Sequence, residues 1–370
     1  MDSLSKIIAK YNSPKVVVAM SGGVDSSVAA AILASYGFEV IGIGLDLRQN
    51  HKGGSRACCG DRDMLDARRV AQSLNIPFYV LNFRNIFAET VIDYARESYL
   101  RGETPNPCVV CNEKIKFSIL LGIAEALGAP LLATGHYARI ATSGGRLELR
   151  RAEHEKDQSY FLWPLSQEKL AKVIFPLGEI KKGETRKIAR ELGLKVHSKP
   201  ESQDLCFDIR SCLEIRSNSW KNTNELSGPI KDEEGKEIGT HKGIQFYTIG
   251  QRKGLGLGLP EAHWVTNIDL RTRTITVSKK RPAARKTLLL EKVNYVSIEK
   301  PSCAIEVEAV TRYRKPPVQA LLFPLEGEKA AIDFNKPEEP VSPGQSVVLY
   351  AGDTVLAGGV VSRQDSNFQT

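Results

Sequence analysis

Short apolar runs alternate with amphipathic stretches through the first half of this 370-residue chain. Strands buried on both faces are apolar at successive positions, and four such runs occur, at residues 16–20, 40–45, 78–81 and 130–133. Segments with helical spacing of apolar residues follow them, at residues 24–36, 61–74, 86–100 and 114–127. This order predicts βαβ units and therefore an α/β domain with a parallel sheet.

The pattern changes further along the chain. The Gly144-Gly145 pair between two short alternating runs predicts a β-hairpin, and two more helices are expected at residues 167–174 and 182–192. Beyond these, short strands broken by glycine and proline are typical of antiparallel β structure. We therefore expect three domains, at residues 1–210 (α/β), 215–282 (small, central and β-rich) and 285–370 (a C-terminal β-barrel).

Composition narrows the class of protein. Hydrophobic residues make up 42% and charged residues 25%, which is typical of a soluble globular chain and excludes a disordered one. No apolar run is long enough to span a bilayer, so no membrane partner is expected, and the N-terminus lacks the pattern of a secretory signal. An odd count of seven cysteines then favours reduced thiols and a cytoplasmic location.

The net charge is modestly positive. Lys and Arg number 51 against 43 Asp and Glu, giving +8. Two basic stretches contribute, at residues 181–199 and 279–286. Residues 181–199 are either a solvated face or a surface that contacts phosphates, and the sequence favours neither, whereas residues 279–286 form an acid-free link between the two β-rich domains.

The strongest chemical signal is the segment Ser21-Gly22-Gly23-Val24-Asp25-Ser26-Ser27, between a predicted strand and helix. Two glycines allow a tight turn close to a polyanion, and the N-terminus of the helix attracts phosphate. Asp25 is expected to hold Mg²⁺ bound to those phosphates. No Lys follows as in a Walker A loop. The segment resembles the PP-loop of the ATP pyrophosphatases, which implies cleavage of ATP between its α and β phosphates and transfer of AMP to an oxygen of the substrate.

Three cysteines form the second candidate site. Cys108 and Cys111 make a C-x-x-C unit in a proline-rich loop before a helix, and Cys206 lies in a polar stretch. Thiols at the start of a helix suit nucleophilic, redox or metal-binding roles. A structural zinc site is less favoured, because no second such unit completes four ligands. Cys58, Cys59, Cys212 and Cys303 are expected to be structural or incidental.

Longer motifs carry a resemblance over the whole chain. They are Asn106-Pro107 with Cys111-Asn112, residues 133–139 (ATGHYAR), 156–162 (KDQSYFL), 202–207 (SQDLCF) and 246–256 (FYTIGQRKGLG), and Arg312-Tyr313-Arg314 with residues 343–346 (PGQS). With the PP-loop, they resemble the tRNA-specific 2-thiouridylases. The resemblance implies a PP-loop domain of the adenine nucleotide alpha-hydrolase type, a small central domain and a C-terminal β-barrel. It also implies 2-thiolation of the wobble uridine of tRNAs for Lys, Glu and Gln.

The resemblance also implies roles for individual residues. ATP is expected to contact Ala19, Met20, Ser21, Gly22, Gly23, Val24, Asp25, Ser26, Leu45 and Gly135. Cys111 matches the nucleophile and Cys206 the cysteine that carries a persulfide. Asn106, Pro107 and Cys108 match the segment that faces the target base. Positions expected to touch tRNA are His136, Lys156, Asp157, Gln158, Arg312, Tyr313 and Gln345.

Cys108 departs from one common form of the family, which has Asp there. Cys108, Cys111 and Cys206 could together hold a 4Fe–4S cluster with one open iron, and the extra thiol favours this at least as strongly as a persulfide relay. The sulfur donor is accordingly either a persulfide carrier protein or sulfide. Three other functions fit the residues less well: a PP-loop ligase acting on a small metabolite, a tRNA thiolase acting on position 8 or 54, and a catalytically silent RNA-binding protein.

Overall fold

The structure, a computed structural model, describes residues 14–47, 60–200, 205–207, 209 and 227–363. Cys58, Cys59, Cys212, residues 202–204 of the SQDLCF motif, and the predicted boundaries at 210 and 215 lie outside these ranges. The longer helices in the described part are α1 (Val24–Ser35), α2 (Asp61–Ser73), α3 (Arg84–Phe87), α4 (Asp93–Leu100), α5 (Pro107–Val110), α6 (Leu121–Ala126), α7 (Gln167–Leu170) and α8 (Lys182–Glu191). Wider, π-type turns at Ala88–Ile92 and Cys111–Leu120 join α3 to α4 and α5 to α6.

A parallel five-stranded sheet lies at the centre of the first domain. Its strands are β1 (Lys15–Ala19), β2 (Glu39–Asp46), β3 (Phe78–Asn82), β4 (Leu131–Thr134) and β7 (Val173–Ile174), in the order β3-β2-β1-β4-β7. Val16, Val17 and Val18 of β1 are fully buried, because helices cover both faces of the sheet. Since β1 and β4 are parallel neighbours, the residues that follow Ala19 and Thr134 meet at one edge. The predicted α/β fold is confirmed.

Two element predictions were wrong in detail. The helix expected at residues 167–174 ends at Leu170, and Val173–Ile174 instead extends the sheet beside Leu132 and Ala133. These two β-branched residues are buried as an edge strand, which suits them better than a helix. The helix expected from residue 114 begins earlier, at Pro107.

The middle of the chain forms a small antiparallel-rich sheet with its own core. Its strands are β8 (Gly228–Lys231), β9 (Glu237–His241), β10 (Trp264–Asp269) and β11 (Thr274–Ser278), in the order β10-β11-β8-β9. Ile230, Val265, Ile275 and Val277 are fully buried between these strands and the segment around Tyr247. This sheet packs beside the C-terminal end of α4. Gly102, which follows that helix, lies against Ile268 and Leu270.

The last part of the chain is a closed barrel of six antiparallel strands, as predicted. They are β12 (Arg285–Tyr295), β13 (Ile305–Val310), β14 (Val318–Pro324), β15 (Lys329–Glu338), β16 (Ser346–Ala351) and β17 (Thr354–Val361). Pairing of β12 with both β15 and β17 closes the barrel. Its interior is apolar, with Leu290, Leu322, Ile332 and Val347 fully buried.

The predicted hairpin, β5 (Ala138–Ser143) and β6 (Arg146–Arg151), joins the barrel rather than the parallel sheet. Arg150 of β6 pairs with Thr354 of β17. Arg139 reinforces the junction, because its Nη2 donates to Asp353 Oδ2 at 2.7 Å. The first domain and the barrel are thus continuous through hydrogen-bonded strands.

Among the helices of the described ranges, none combines the length and the apolar character needed to cross a bilayer.

Candidate active site

The loop between β1 and α1 turns sharply at Gly22. Its φ is +73°, and a Cβ built on Gly22 would lie 1.9 Å from the backbone oxygen of Asp63, so a glycine is required. Ser26 braces the loop from inside, where its Oγ accepts a hydrogen bond from Ser21 N at 3.1 Å. Helix α1 begins at Val24 with no side-chain cap from the described residues. An uncapped helix N-terminus beside a glycine turn fits a phosphate group.

Asp25 points out of the first turn of α1 into a polar cluster. One carboxylate oxygen, Oδ1, accepts hydrogen bonds from Lys182 Nζ at 2.5 Å and Tyr137 Oη at 2.7 Å. Tyr137 Oη also lies 3.0 Å from Thr185 Oγ1. The Asp25 side chain is 33% exposed, so a carboxylate remains within reach of a cation brought by ATP. Asp25 therefore offers one carboxylate, which is chemically suited to a Mg²⁺ that ATP phosphates also bind.

Lys199 ties the loop to α2. Its Nζ donates to the backbone oxygen of Gly22 at 2.9 Å, to Asp63 Oδ1 at 2.5 Å and to Asp66 Oδ2 at 2.8 Å. Burial opposes the charge, but the two aspartates outweigh it and raise the pKa of Lys199. Lys199 and Lys182 belong to the basic stretch 181–199, for which the sequence suggested a solvated face or phosphate contacts. Both side chains instead face the PP-loop.

Gly135 and His136 bring β4 against the same loop. A Cβ on Gly135 would lie 2.7 Å from Ser26 N, so the two backbones touch. His136 Nδ1 lies 2.6 Å from Thr134 Oγ1, and its ring is enclosed by Phe117 and Phe175. Desolvation holds the pKa of His136 well below the usual value, so the ring is neutral near pH 7.

The other residues expected at ATP also lie at this edge of the sheet. Ala19 ends β1, and Met20 N donates to the backbone oxygen of Ile43 at 2.8 Å. Leu45 is buried near the end of the neighbouring strand. Directly after it, Asp46 accepts hydrogen bonds from Arg84 Nε at 3.0 Å and Nη2 at 2.7 Å, a contact that the sequence did not reveal.

Cys108 and Cys111 lie inside a helix rather than in the loop predicted for them. We call α5 together with the π-type turns that follow it, residues 107–120, the cysteine helix. Asn106 starts the helix, since its Oδ1 accepts from Val109 N at 3.4 Å, and Pro107 occupies the first turn. Cys108 is partly exposed, whereas Cys111 is buried. Burial raises the pKa of Cys111, although Lys116 partly opposes the rise. Cys111 is therefore a protonated thiol near pH 7 in this conformation.

Cys206 lies partly buried against the same apolar cluster that contains Cys111. Phe207, which follows it, packs edge-on against Phe87. No three His, Cys, Asp or Glu side chains among the described residues are grouped so that they could hold a metal ion. Cys108, Cys111 and Cys206 are all described, so in this arrangement they do not fit a 4Fe–4S cluster.

An aromatic group connects the cysteine helix to the barrel domain. Asn112 Nδ2 donates to the backbone oxygen of Phe161 at 3.1 Å, and the Phe161 and Tyr313 rings lie 4.5 Å apart. Tyr160 lies beside them and donates from Oη to the backbone oxygen of Ser346 at 2.8 Å. Burial raises the pKa of Tyr160, so it is a hydroxyl donor. Tyr313, predicted to touch tRNA, is thus placed near the cysteine helix.

Asp157 and Gln158 use their side chains within the protein. Asp157 Oδ1 accepts from the backbone N of Ala152 and of Ser159, both at 3.0 Å. Gln158 Oε1 accepts from Tyr137 N at 3.0 Å. Gln158 therefore positions Tyr137, which in turn holds the Asp25 carboxylate. Lys156 lies two residues away on the same loop, with its backbone N donating to His154 Nδ1 at 3.3 Å.

Gln345 lies where all three domains meet. Nearby, Thr104 N donates to the backbone oxygen of Pro343 at 2.7 Å, and Ser342 Oγ donates to that of Ile249 at 3.2 Å. Gln345 Oε1 is buried and has no hydrogen-bond partner among the described residues. On the same side of the barrel, Arg312 Nη2 donates to the backbone oxygen of Pro340 at 3.2 Å.

A cavity of about 670 Å³ lies between the cysteine helix and the barrel. Asn106, Val110, Glu113, Trp163 and Lys292 are among its lining residues. Cys108, Cys111 and Cys206 do not line it, because the helix presents its other face there. The cavity is therefore separate from the thiols.

The parallel sheet with its PP-loop, followed by two β domains, defines an ATP-using enzyme of the PP-loop class. Family profiles agree along the chain: residues 14–209 match the tRNA methyl transferase HUP domain, residues 221–279 the tRNA methyl transferase PRC-barrel domain and residues 285–361 the aminomethyltransferase beta-barrel domain. The predicted order of an α/β domain, a central β domain and a barrel is confirmed.

Relatives that match nearly the whole chain identify the family more specifically. The tRNA-specific 2-thiouridylase MnmA of Pelotomaculum thermopropionicum is 44% identical over 369 residues, covering 96% of this chain and 99% of the relative. That of Clostridium acetobutylicum is 43% identical, covering 94% and 99%. That of Moorella thermoacetica is 44% identical, covering 93% and 98%. The chain belongs to the tRNA-specific 2-thiouridylase family, which confirms the family and enzyme class that the motifs predicted.

Proposed function

We propose that this protein catalyses ATP-dependent 2-thiolation of the wobble uridine in tRNAs for Lys, Glu and Gln, in the cytoplasm. The observation that carries the proposal is a chain of contacts between the PP-loop and the cysteine helix within one domain. The PP-loop touches Gly135, the next residue is His136, and its ring contacts Phe117 of the helix that begins with Cys108 and Cys111. The nucleotide loop and the helix that carries the thiols are thus linked by direct contacts through His136.

The first half-reaction activates the uracil. The C2 carbonyl oxygen is a poor leaving group, so the oxygen first attacks the α-phosphorus of ATP and pyrophosphate leaves. Gly22, Gly23 and the first turn of α1 hold the phosphates, and Ser21 and Ser26 shape the loop. Asp25 would hold Mg²⁺, which when bound neutralises charge on the phosphate oxygens. C2 now carries AMP as its leaving group.

The second half-reaction delivers sulfur from Cys206, loaded beforehand by a persulfide carrier protein or by sulfide together with a two-electron oxidant. The terminal persulfide sulfur attacks C2 and AMP departs. The Cys111 thiol then gives up its proton and attacks Cys206 Sγ, which breaks the sulfur–sulfur bond to the base, and the released 2-thiouridine takes up that proton. The products are 2-thiouridine and a Cys111–Cys206 disulfide, which an external thiol reductant returns to two thiols.

The 4Fe–4S cluster hypothesis and the persulfide relay predict different results in one experiment. The three cysteines do not form a metal group as they are placed, so we derive no step through a cluster. After anaerobic purification, the relay predicts iron-free protein that remains active with a persulfide donor. Stoichiometric iron and sulfide, with activity that depends on them, would favour the cluster and overturn the relay.

The tRNA would bind at the face where the domains meet. Asn106, Pro107 and Cys108 begin the cysteine helix, and Tyr313 lies close by on the barrel side. Gln345 Oε1, which has no hydrogen-bond partner among the described residues, would accept from a base or ribose donor. Basic groups on the three domains would hold the phosphate backbone while one base is turned into the site.

The decisive experiment is mass analysis of nucleosides from tRNA incubated with the protein, ATP and a persulfide source. We expect 2-thiouridine at the wobble position and AMP in equal amount. AMP formation without any thiolated nucleoside would contradict the proposal and favour a PP-loop ligase. Binding of tRNA with no AMP formation would favour a silent RNA-binding protein.

A further inference from the structure

The motif at residues 343–346 (PGQS) belongs to the barrel domain, and only its glutamine has a part in the proposed function. Its first residue, Pro343, accepts a hydrogen bond at its backbone oxygen from Thr104 N at 2.7 Å. Thr104 lies two residues before Asn106, which caps the cysteine helix. The barrel is therefore bonded to the segment that leads into the cysteine helix.

The other end of the motif reaches the same segment through a buried hydroxyl group. Tyr160 Oη donates to the backbone oxygen of Ser346 at 2.8 Å and is also hydrogen-bonded to the side chain of Asn106. Tyr160 is only 4% exposed, so water does not compete for these bonds. Both ends of the motif are thus joined to residues 104–106.

Gly344, between these two ends, packs against the backbone of the same segment. Its φ is +86°, and a Cβ built on it would lie 2.9 Å from Glu103 Cβ and 3.1 Å from Thr104 N. A larger residue would therefore have to push the segment away. Glu103 resists that movement, because its carboxylate accepts from Arg101 Nη2 at 3.0 Å and its backbone N donates to the backbone oxygen of Ser98 at 2.9 Å. The displacement would pass instead to the residues after Thr104.

The central domain holds Thr104 as well, through the motif at residues 246–256 (FYTIGQRKGLG). Thr104 Oγ1 donates to Thr248 Oγ1 at 3.4 Å. The backbone oxygen of the next residue, Ile249, accepts from Ser342 Oγ at 3.2 Å, and Ser342 directly precedes the PGQS motif. Two motifs that supply no reacting group therefore meet at Thr104.

We propose that Thr104, Gly344 and Tyr160 form a positioning joint, which sets where Asn106 and the start of the cysteine helix stand relative to a bound uridine. The three residues act through Asn106 and not on the substrate, so they are positioning residues. The inference rests on the proposed function, because it assigns the joint to placement of the target base. A base displaced by about 1 Å can lose about 100-fold in rate, whereas affinity for tRNA depends mainly on contacts with phosphates. We therefore expect damage to the joint to lower kcat more than it raises KM for tRNA.

Gly344→Ala tests the joint directly, and Gly327→Ala is its matched control. Both glycines belong to the barrel domain and have a positive φ, +86° and +65°, so both substitutions strain the backbone. Apart from its chain neighbours, no atom lies within 4 Å of a Cβ built on Gly327, so only Gly344→Ala presses on another segment. With saturating tRNA, ATP and a persulfide source, we expect Gly344→Ala to slow single-turnover formation of 2-thiouridine by about 10- to 100-fold. The dissociation constant for tRNA should change by less than about threefold, and Gly327→Ala should change neither quantity.

Tyr160→Phe is a second, milder variant, because it removes only the hydroxyl group that joins Ser346 to Asn106. We expect single-turnover formation of 2-thiouridine to fall by about tenfold, again with little change in tRNA binding. Tyr350→Phe is the control, since it removes a buried hydroxyl group that lies 3.2 Å from Ser159 Oγ, and it should leave the rate unchanged. Circular dichroism and thermal unfolding show whether each variant is folded.

Hydrogen exchange measures the joint without tRNA, ATP or a sulfur source. In the peptide that spans residues 103–112, we expect amide exchange to be about tenfold faster in Gly344→Ala and Tyr160→Phe than in the wild type, and unchanged in the two controls. Unchanged exchange in both test variants would overturn the joint itself.

The rates decide what the joint does. Full rates of 2-thiolation despite faster exchange, or an equal loss of rate in the controls, would overturn its role in base placement. A loss of tRNA binding that accounts for the whole loss of rate would overturn it too. A wild type that forms no 2-thiouridine would instead contradict the proposed function, and hydrogen exchange would still decide whether the joint exists. The failure of one proposal is therefore distinguishable from that of the other.

Discussion

Lys199 Nζ donates a hydrogen bond to the backbone oxygen of Gly22 at 2.9 Å, although 177 positions separate the two residues. Through Asp63 and Asp66 the same ammonium group joins the loop to α2. The shape of the PP-loop is therefore set by a distant part of the domain and not by its glycines alone. Because one face of the loop is already occupied, phosphate can approach from the other.

Substitution of Gly22 tests this packing. Gly22→Ala places a methyl group against the backbone oxygen of Asp63 and also strains a positive φ, so we expect a loss of about 3 kcal/mol or more in unfolding free energy. Gly37→Ala is the control, because Gly37 has a φ of +86° but open space around its Cβ position. It should lose only about 1 kcal/mol. Equal losses in urea unfolding would show that the contact with Asp63 has no effect.

Asp25 should be essential for cleavage of ATP. Asp25→Asn removes the carboxylate charge expected to hold Mg²⁺, and we predict that tRNA-dependent release of AMP and pyrophosphate falls by about 100-fold or more. Asp93→Asn is the control, since Asp93 is a half-exposed carboxylate of α4 that is paired with Arg96. Unchanged pyrophosphate release in Asp25→Asn would remove Asp25 from the ATP site.

The thiol of Cys111 should be slow to react in the resting protein. Burial raises its pKa, so the reactive thiolate forms only as the pH rises above the ordinary range of a cysteine. We expect alkylation of Cys111 by iodoacetamide, followed by peptide mass mapping, to be negligible at pH 7 and to increase steadily toward pH 10. The exposed Cys303 is the internal reference and should be labelled first. Faster labelling of Cys111 than of Cys303 at pH 7 would contradict this prediction.

Gln158 should act on the ATP side of the reaction. Gln158→Ala leaves the buried Tyr137 N–H without its acceptor, and we expect a loss of about 1–3 kcal/mol in unfolding free energy. Since Tyr137 holds Asp25, KM for ATP should rise more than KM for tRNA. Gln319→Ala, an exposed glutamine beside Glu308, should change neither. If only KM for tRNA rises, Gln158 is a direct tRNA contact, as its motif suggests.

Substitution of Cys111 tests its role in sulfur transfer, with Cys303 as the matched control. Cys111→Ser should retain pyrophosphate release but lose formation of 2-thiouridine, because adenylation precedes attack by the thiol. Cys303→Ser should retain both, since Cys303 is exposed and remote in the barrel domain. Loss of pyrophosphate release in Cys111→Ser, with the fold intact by circular dichroism, would place Cys111 in the first half-reaction instead.

The sequence predicted what is local or periodic. The strand before Ser21, the helix after it and the meeting of Gly135 with the loop follow from apolar runs and from the edge rule for parallel sheets. The contacts of Lys182 and Lys199 with the PP-loop were not predicted, because a lysine on an amphipathic helix or loop is ordinarily solvated. Their partners lie 157 and 177 positions away, and no spacing in the sequence records such contacts.

Start positions of helices were harder to predict than the helices themselves. Asn106 and Pro107 are an ordinary cap and first-turn pair, but two prolines near two cysteines favoured a loop. The consequence is chemical, because the helix buries Cys111 and leaves Cys108 partly exposed. The burial of Cys111, which raises the pKa of its thiol, thus depends on a helix start that lies seven residues earlier than predicted.

The pairing of β6 with β17 has a consequence for engineering the chain. The hairpin at residues 138–151 contributes two outer strands to the sheet of the barrel, yet it is encoded between β4 and the loop that holds Lys156. A barrel excised at residue 285 would lose these strands and the Arg139–Asp353 ion pair, and the Thr354 end of β17 would lose its pairing with Arg150. Chimeras between relatives should therefore exchange the hairpin and the barrel as one inherited unit.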